Sequence, residues 1–345
     1  MIAAGEDLAG RWRALRAERP GVRAREAADA LGVSEAELVA TTVGDTAIAL
    51  DGDMAALVHG LPAVGRCMAL TRNPHAVSEV RGRYGGVELG AHAGQIVGDG
   101  IDLRVFLDHW RYAFAVDEPR RSLQIFDAAG TAVHKVYLEP EGDPAAWDAL
   151  VAARAAKAVR AMTVRVEPAP APPPPCPDDE VDVGALRREW DLLTDTHEFF
   201  TLLRRHRLAR TQALRLAGAE RARRTTGDAL HRVLVAAAAS GTRALIFVGN
   251  RGCLQVYSGS VARILRTGPW LNVLDPAFNL HLREDAIAES WVVSKPTRTG
   301  AVRSLEIYDA AGETIAMIFR KRDDRERAED PAWGELLDRL PEVAA

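Results

Sequence analysis

The spacing of apolar and polar residues divides the chain into two stretches of similar order. Residues 6–41 and 184–217 have apolar positions at helical spacing, and shorter runs that alternate like strands follow them. In the second half these runs are residues 245–248, 254–257, 291–293, 304–308 and 314–319. Glycine-rich turns at 249–252 and 309–312 separate them, and helical segments at 145–161 and 331–340 close the two halves. Helices followed by antiparallel strands predict an α+β fold.

The two halves also repeat each other in sequence. The segment RSLQIFDAAG at 121–130 returns as RSLEIYDAAG at 303–312, which is 182 positions later. Upstream, the repeat is 177 positions, as between Asn73 and Asn250. A five-residue insertion around 295–300, at a predicted hairpin tip, accounts for the change. We therefore predict a tandem duplication, in which each half contains helices and antiparallel strands.

A proline-rich run at 166–183 separates the halves and predicts an extended linker. The predicted domains are therefore an N-terminal repeat at 1–165, this linker, and a C-terminal repeat at 184–345. A total of 345 residues suits two domains of about 150 residues each.

Composition narrows the classes of function. The chain is 48% hydrophobic and 27% charged, which is typical of a folded protein, and its net charge of −4 gives no basic field for nucleic acid. The three cysteines, Cys67, Cys176 and Cys253, have no metal-ligand spacing and favour a reducing compartment. Neither a signal peptide nor a stretch of about 18 apolar residues is found, so we expect a cytoplasmic protein without membrane insertion.

His197 is the first candidate for chemistry, because the first repeat has no histidine at the equivalent place. In a continuous helix it would share one face with Trp190, Leu193 and Phe200. Asp195 and Glu198 could instead begin a new helix, with His197 in its first turn. Both arrangements place the imidazole beside bulky apolar groups. Such a histidine is either a hydrogen-bonded core residue or a ligand for haem iron.

Arg104 is the second candidate. It alternates with apolar Leu103 and Val105, so it points away from its own core. It is either a solvated arginine, paired with Asp102 or Asp108, or a group that faces a ligand. Cys176-Pro177 resembles a short haem-regulatory dipeptide, but its proline-rich surroundings favour linker composition.

Several motifs together resemble the HemS/ChuS/HmuS/PhuS family of hemin-degrading and haem-trafficking proteins, from about residue 10 to about residue 340. The tract 190–214, with TDTHEFFTLL, carries much of the likeness. The other matching segments are Gly94 and residues 102–107, 121–127, 248–253, 270–272 and 278–282. The resemblance implies two tandem repeats, each a large antiparallel sheet with flanking helices, with a haem cleft between the halves.

The resemblance also implies roles for individual residues. His197 matches the proximal iron ligand of the family, and Arg104 matches its distal arginine, so both are candidate catalytic residues. The implied propionate or pocket groups are Arg210, Phe247, Lys295, Phe319, Arg320 and Arg322. Some family members have a haem-binding histidine in the first repeat where this chain has Ser78, although His75 lies three residues away and His92 is retained. Phe319 stands where relatives have tyrosine.

Two functions follow from this resemblance. The first is oxidative opening of haem with release of iron for iron acquisition, with electrons from an external donor because no flavin or nicotinamide motif is visible in the sequence. The second is a bacterial haem carrier that delivers haem to a separate oxygenase. A haem-uptake transporter, an oxygenase or a reductase are the implied partners. Unpaired sheet edges are compatible with a homodimer.

Overall fold

The computed structural model describes residues 4–155, 164–168, 171, 174–321 and 331–343. The helices are α1 (Ala4–Glu18), α2 (Ala24–Leu31), α3 (Glu35–Ala40), α4 (Met54–Gly60), α5 (Pro144–Arg154), α6 (Val183–Asp191), α7 (Glu198–His206), α8 (Arg210–Ala217), α9 (Ala229–Ser240) and α10 (Pro331–Asp338). The strands of the first half are β1 (Ala47–Ala49), β2 (Gly65–Arg72), β3 (Ala76–Arg83), β4 (Gly86–Leu89), β5 (Gly94–Val97), β6 (Asp102–Val105), β7 (Tyr112–Val116), β8 (Ser122–Phe126) and β9 (Ala132–Gly142). Those of the second half are β10 (Ala222–Thr225), β11 (Ala244–Gly249), β12 (Cys253–Gly259), β13 (Ile264–Thr267), β14 (Trp270–Leu274), β15 (Phe278–Arg283), β16 (Glu289–Thr297), β17 (Gly300–Tyr308) and β18 (Thr314–Arg320).

The chain forms two compact units that divide between Pro170 and Ala171. Two short segments depart from this division, since residues 73–77 belong to the second unit and residues 250–255 to the first. The division falls within the predicted linker at 166–183. The domain bounds 1–165 and 184–345 stay a prediction.

Both units have the same strand order. In the described residues the strands form two antiparallel sheets of nine strands each. The first unit contains the order β1-β7-β8-β9-β2-β3 and the meander β4-β5-β6. The second contains β10-β16-β17-β18-β11-β12 and the meander β13-β14-β15. Each strand of the first series thus corresponds to the one nine places later, and the α+β fold with a structural duplication is confirmed.

The helical stretches were predicted in the right places but are interrupted. Residues 6–41 contain three helices, and α3 begins with the predicted capping box, in which Ser34 accepts from Glu37 N at 3.2 Å and Glu37 accepts from Ser34 N at 2.8 Å. The hairpin tip inserted at 295–300 is also found, between β16 and β17. Helices α4 and α9 were not predicted.

The three helices of residues 183–217 pack on the sheet of the second unit. Trp190 and Phe199 meet edge to face with ring centroids 4.7 Å apart, in a core that also contains Leu214, Trp291 and Tyr308. The Trp190 indole donates to the Ser294 carbonyl at 2.9 Å. This contact ties the end of α6 to β16, and so it fixes where the chain leaves the helix.

No helix among the described residues is long and apolar enough to cross a membrane.

His134 forms a buried polar network in the first unit. Its Nδ1 lies 2.9 Å from Thr71 Oγ1, its Nε2 lies 2.8 Å from the Tyr84 hydroxyl, and Trp110 stacks on its ring. Burial lowers the pKa of His134 to about 3, because the charged imidazolium has no access to water. The histidine is therefore neutral in the folded protein.

We predict that this residue makes the protein sensitive to acid. The unfolded chain binds a proton near pH 6.5, whereas the folded chain binds it only near pH 3, so this stabilisation is complete above pH 6.5 and is lost as the pH falls. His134 alone should cost about 3 kcal/mol between pH 7 and pH 4. Urea unfolding at several pH values measures this, with His134→Gln as the non-titrating variant. Parallel stability curves for the two proteins would contradict the prediction.

Candidate functional site

His197 lies at a break between two helices, directly before α7. Helix α6 ends at Asp191, and the short polar residues Thr194 to Thr196 form a turn that competes with helix continuation. Glu198 accepts from the backbone N–H groups of Thr194 at 2.8 Å and Asp195 at 3.2 Å. The second of the two sequence interpretations, a new helix start, is therefore correct. The continuous helical face is not, because Trp190 and Leu193 are buried whereas His197 is 91% exposed.

The imidazole of His197 has a defined orientation. Its Nδ1 lies 2.6 Å from Asp195 Oδ1, and the same oxygen accepts from the backbone N–H of His197 at 2.8 Å. A carboxylate only accepts, so Nδ1 carries a proton, and in a neutral imidazole Nε2 then has the lone pair. Both hydrogen bonds from His197 lower the pKa of Asp195. Nε2 is thus the atom that can bind a metal.

Two large apolar side chains beside His197 are exposed. Leu192 is 75% exposed and Phe200 is 64% exposed. A groove of about 330 Å³ opens between α6 and α7. Its lining residues are Glu189, Leu192, Leu193, Glu198, Thr201, Leu202 and Arg205. Exposed apolar surface around a free imidazole nitrogen is suited to a flat, largely apolar ligand that contains a metal.

A buried charge cluster lies under this region. Glu306 on β17 is fully buried and accepts from Lys295 Nζ at 2.6 Å and from Arg210 Nε at 2.9 Å. The Tyr308 hydroxyl donates to the same carboxylate, and Ser304 Oγ contacts it at 3.1 Å. The ring of Phe199, two residues after His197, covers both cations, with Lys295 Nζ 4.6 Å and the Arg210 guanidinium carbon 5.1 Å from its centroid.

This cluster has an excess positive charge. Burial lowers the pKa of Lys295 to about 8, although Glu306 opposes that shift, so the lysine stays protonated at pH 7. Burial alone would raise the pKa of Glu306, but Arg210 and Lys295 hold it well below its usual range. Two cations and one carboxylate leave one net positive charge. The Arg210 side chain is the most exposed part of this pair, at 24%, whereas Glu306 is fully buried.

The aromatic candidates lie on the same face of the sheet. Phe247 and Phe319 meet edge to face at 5.1 Å, and the strand register places Phe319 opposite Ser304. Arg320 follows Phe319 directly, so strand alternation turns it to the opposite face. The structure thus brings Arg210, Phe247, Lys295 and Phe319 to one face of β16–β18 and β11, and it does not bring Arg320 there. Arg322 lies outside the described residues.

Arg104 belongs to the first unit, on β6. Leu103 and Val105 are buried and Arg104 is partly exposed, as its alternation predicted. Its guanidinium pairs with Asp102 and also donates to the Leu103 carbonyl at 3.2 Å. The ion pair with Asp102 is thus present, and the distal role stays a prediction.

The first unit has a charge cluster of its own, at the position that corresponds to Arg210 in the second unit. Glu35, the first residue of α3 as Arg210 is of α8, pairs with Arg72 and Lys135. Burial alone would raise the pKa of Glu35, but the two cations outweigh it and lower that pKa. Arg72 and Lys135 thus share one internal carboxylate, as Arg210 and Lys295 share Glu306 in the second unit.

The other candidate ligands of the sequence are explained by local contacts. Ser78 is buried and accepts from Gln255 Nε2 at 3.1 Å, so its side chain does not reach solvent. His75 lies 3.4 Å from Asp309 in the second unit, and exposed His92 lies 3.4 Å from Asp108. Cys176 is buried, and its backbone contacts Arg207 and Gln212. Its environment is that of a packed core residue.

Sequence reasoning missed Glu306 and Tyr308 as members of the site and recognised Asp195 only as a capping residue. Glu306 had a detectable signal, since Ser304, Glu306 and Tyr308 alternate with apolar Leu305 and Ile307. A strand with apolar residues on one face and an acidic residue between two hydroxyls on the other indicates a buried polar cluster. The contact between Asp195 and the imidazole had no such signal.

Comparison with known proteins identifies the family of the chain. A family model described as the haemin-degrading HemS.ChuX domain matches residues 32–153 and 207–340, one segment in each half. The hemin transport protein HmuS of Yersinia pestis is 39% identical over 331 residues, which cover 94% of each chain.

Two solved structures share the fold over nearly the whole chain. PhuS of Pseudomonas aeruginosa, a heme-binding protein, is 44% identical with a TM-score of 0.94, and the match covers 99% of this chain and 100% of PhuS. ChuS of E. coli, a heme oxygenase, is 34% identical with a TM-score of 0.86, covering 97% and 99%. The chain therefore belongs to the haemin-degrading HemS/ChuX family of haem-binding proteins.

Proposed function

We propose that this protein binds haem through Nε2 of His197, opens the porphyrin ring oxidatively and releases the iron. One observation carries the proposal: an exposed imidazole with a fixed tautomer stands beside exposed Leu192 and Phe200. Leaving two large apolar side chains in water costs free energy that a bound porphyrin face would recover, at about 25 cal/mol per Å² of apolar surface covered. Neutral imidazole is also a common axial ligand of haem iron.

The charge cluster supplies the polar half of the recognition. Haem has two propionate carboxylates, and Arg210 offers a partly exposed guanidinium within a cluster that has one excess positive charge. The ammonium group of Lys295 is paired with Glu306, so in this proposal Lys295 attracts the propionates by its charge and does not contact them directly. Phe247 and Phe319 would form an apolar wall, and Phe319 brings no hydroxyl group.

Arg104 is the proposed distal residue. An arginine stays protonated throughout the physiological range, so it would hold a water molecule and donate hydrogen bonds rather than transfer protons. Its partner Asp102 fixes the guanidinium on one side. Haem supplies the oxygen-activating iron as well as the carbon skeleton that is cleaved, and the electrons come from an external donor.

A carrier function is the second candidate, and the openness of the site favours it. Because His197, Leu192 and Phe200 are exposed, a bound haem would remain accessible to a receiving protein. HmuS of Yersinia pestis is named a hemin transport protein. In this form the protein would pass intact haem to a separate oxygenase.

The setting of this activity is part of the proposal. We place the protein in the bacterial cytoplasm, in iron acquisition, where the free thiols of Cys67, Cys176 and Cys253 are stable. Its proposed partners are a haem-uptake transporter, a reductase or a downstream oxygenase, and a second copy of the chain.

The ligand assignment predicts that His197→Ala loses the hemin-dependent Soret spectrum of the wild type and weakens hemin binding by at least about tenfold. His92→Ala is a matched control, since His92 is 90% exposed and also has a carboxylate neighbour. Titration of the purified proteins with hemin measures both quantities. Equal spectra and affinities for His197→Ala and wild type would exclude His197 as the ligand.

Product analysis separates the two functions. We expect the haem complex to lose its Soret band under reductant, oxygen and catalase, and to yield a linear tetrapyrrole and free iron. Arg104→Ala should bind hemin within about threefold of wild type but turn it over at least about tenfold more slowly, because the distal donor is lost. Haem that stays intact and moves to an apo-acceptor would contradict the enzymatic proposal and support the carrier.

A further inference from the structure

We propose that Asp195 is a positioning residue for the iron-binding imidazole and that its carboxylate makes the site favour ferric over ferrous haem. This inference rests on the proposed role of His197. In this proposal the Asp195 carboxylate sets the electron density on the His197 imidazole.

The hydrogen bonds of Asp195 hold the imidazole at two points. Oδ1 accepts from the backbone N–H of His197 at 2.8 Å and from Nδ1 at 2.6 Å. The turn that carries Asp195 is itself fixed, because Glu198 accepts from two of its N–H groups and the Arg298 N–H donates to the Thr194 carbonyl at 3.0 Å. The carboxylate and the imidazole therefore keep their relative geometry before any ligand arrives.

Two electrostatic effects act on this imidazole in opposite directions. His197 precedes the nine-residue helix α7, whose N-terminus carries the equivalent of about half a positive charge and withdraws electron density from the ring. Asp195 places a full negative charge at hydrogen-bond distance from Nδ1. The carboxylate is the larger and closer charge, so it determines the net effect.

The consequence is a more basic ligand. A short hydrogen bond from Nδ1–H to a carboxylate gives the ring partial imidazolate character, which strengthens the bond from Nε2 to a metal. The bond from Nε2 is strengthened more for ferric than for ferrous iron, because the ferric centre has one more positive charge. The reduction potential of bound haem therefore falls, and the protein retains the ferric form.

Asp195→Asn is the direct test, because the amide oxygen still accepts from the His197 N–H while the negative charge is removed. Asp191→Asn is the matched control. Asp191 lies at the end of α6, pairs with Arg221 at 2.5 Å, and loses the same charge without touching the imidazole. The readouts are the Kd for hemin and the midpoint potential of the bound haem by spectroelectrochemistry. Should Asp195→Asn unfold, Asp195→Ser keeps an oxygen acceptor in the turn.

We expect Asp195→Asn to weaken the binding of ferric haem by about tenfold. The midpoint potential of the bound haem should rise by about 59 mV for each tenfold difference between the loss of affinity for ferric haem and that for ferrous haem. Asp191→Asn should leave both values unchanged. If Asp195→Asn matches Asp191→Asn while His197→Ala loses the ligand spectrum, the role of Asp195 is wrong and the ligand assignment stands. If His197→Ala also matches wild type, the proposed haem site is wrong, and the role of Asp195 with it.

Discussion

The buried carboxylate of Glu306 is the interaction on which the site depends. It holds Lys295 and Arg210 on the sheet, and the ring of Phe199 packs over both cations, which fixes α7 and α8 against β16 and β17. Removing one partner of such a cluster leaves buried charges without compensation, at a cost of about 3–5 kcal/mol, a large part of the stability of a typical domain. The cluster therefore positions both Arg210, the proposed propionate partner, and the helix that follows His197.

The surface above this cluster has the opposite character. His197, Leu192 and Phe200 are exposed, although Leu192 and Phe200 are apolar and large. The packed core and the exposed apolar surface thus lie within a few residues of each other, because Phe199 is buried and Phe200 is exposed. An exposed apolar surface on a rigid core can bind a preformed planar ligand without the cost of first ordering a loop.

Much of the fold could be predicted from the sequence, because strand alternation and helical spacing are local. The repeat of RSLQIFDAAG predicted the duplication, and the strand order of the two units confirmed it. The position of His197 was ambiguous, because the apolar spacing from Trp190 to Phe200 fits a continuous helix although the polar turn at 194–196 interrupts it. Helix α9 was missed, although its alanine-rich sequence favours a helix. Likewise Glu306 meets Lys295 and Arg210 only after strand pairing, which no local pattern encodes.

Ligation of iron by His197 is the central claim, and resonance Raman spectroscopy of the ferrous haem complex tests it most directly. We predict an iron–imidazole stretching band in the wild-type protein that is absent in His197→Gly and returns when free imidazole fills the cavity left by the side chain. A band that persists unchanged in His197→Gly without added imidazole would show that another residue binds the iron, and would contradict the account.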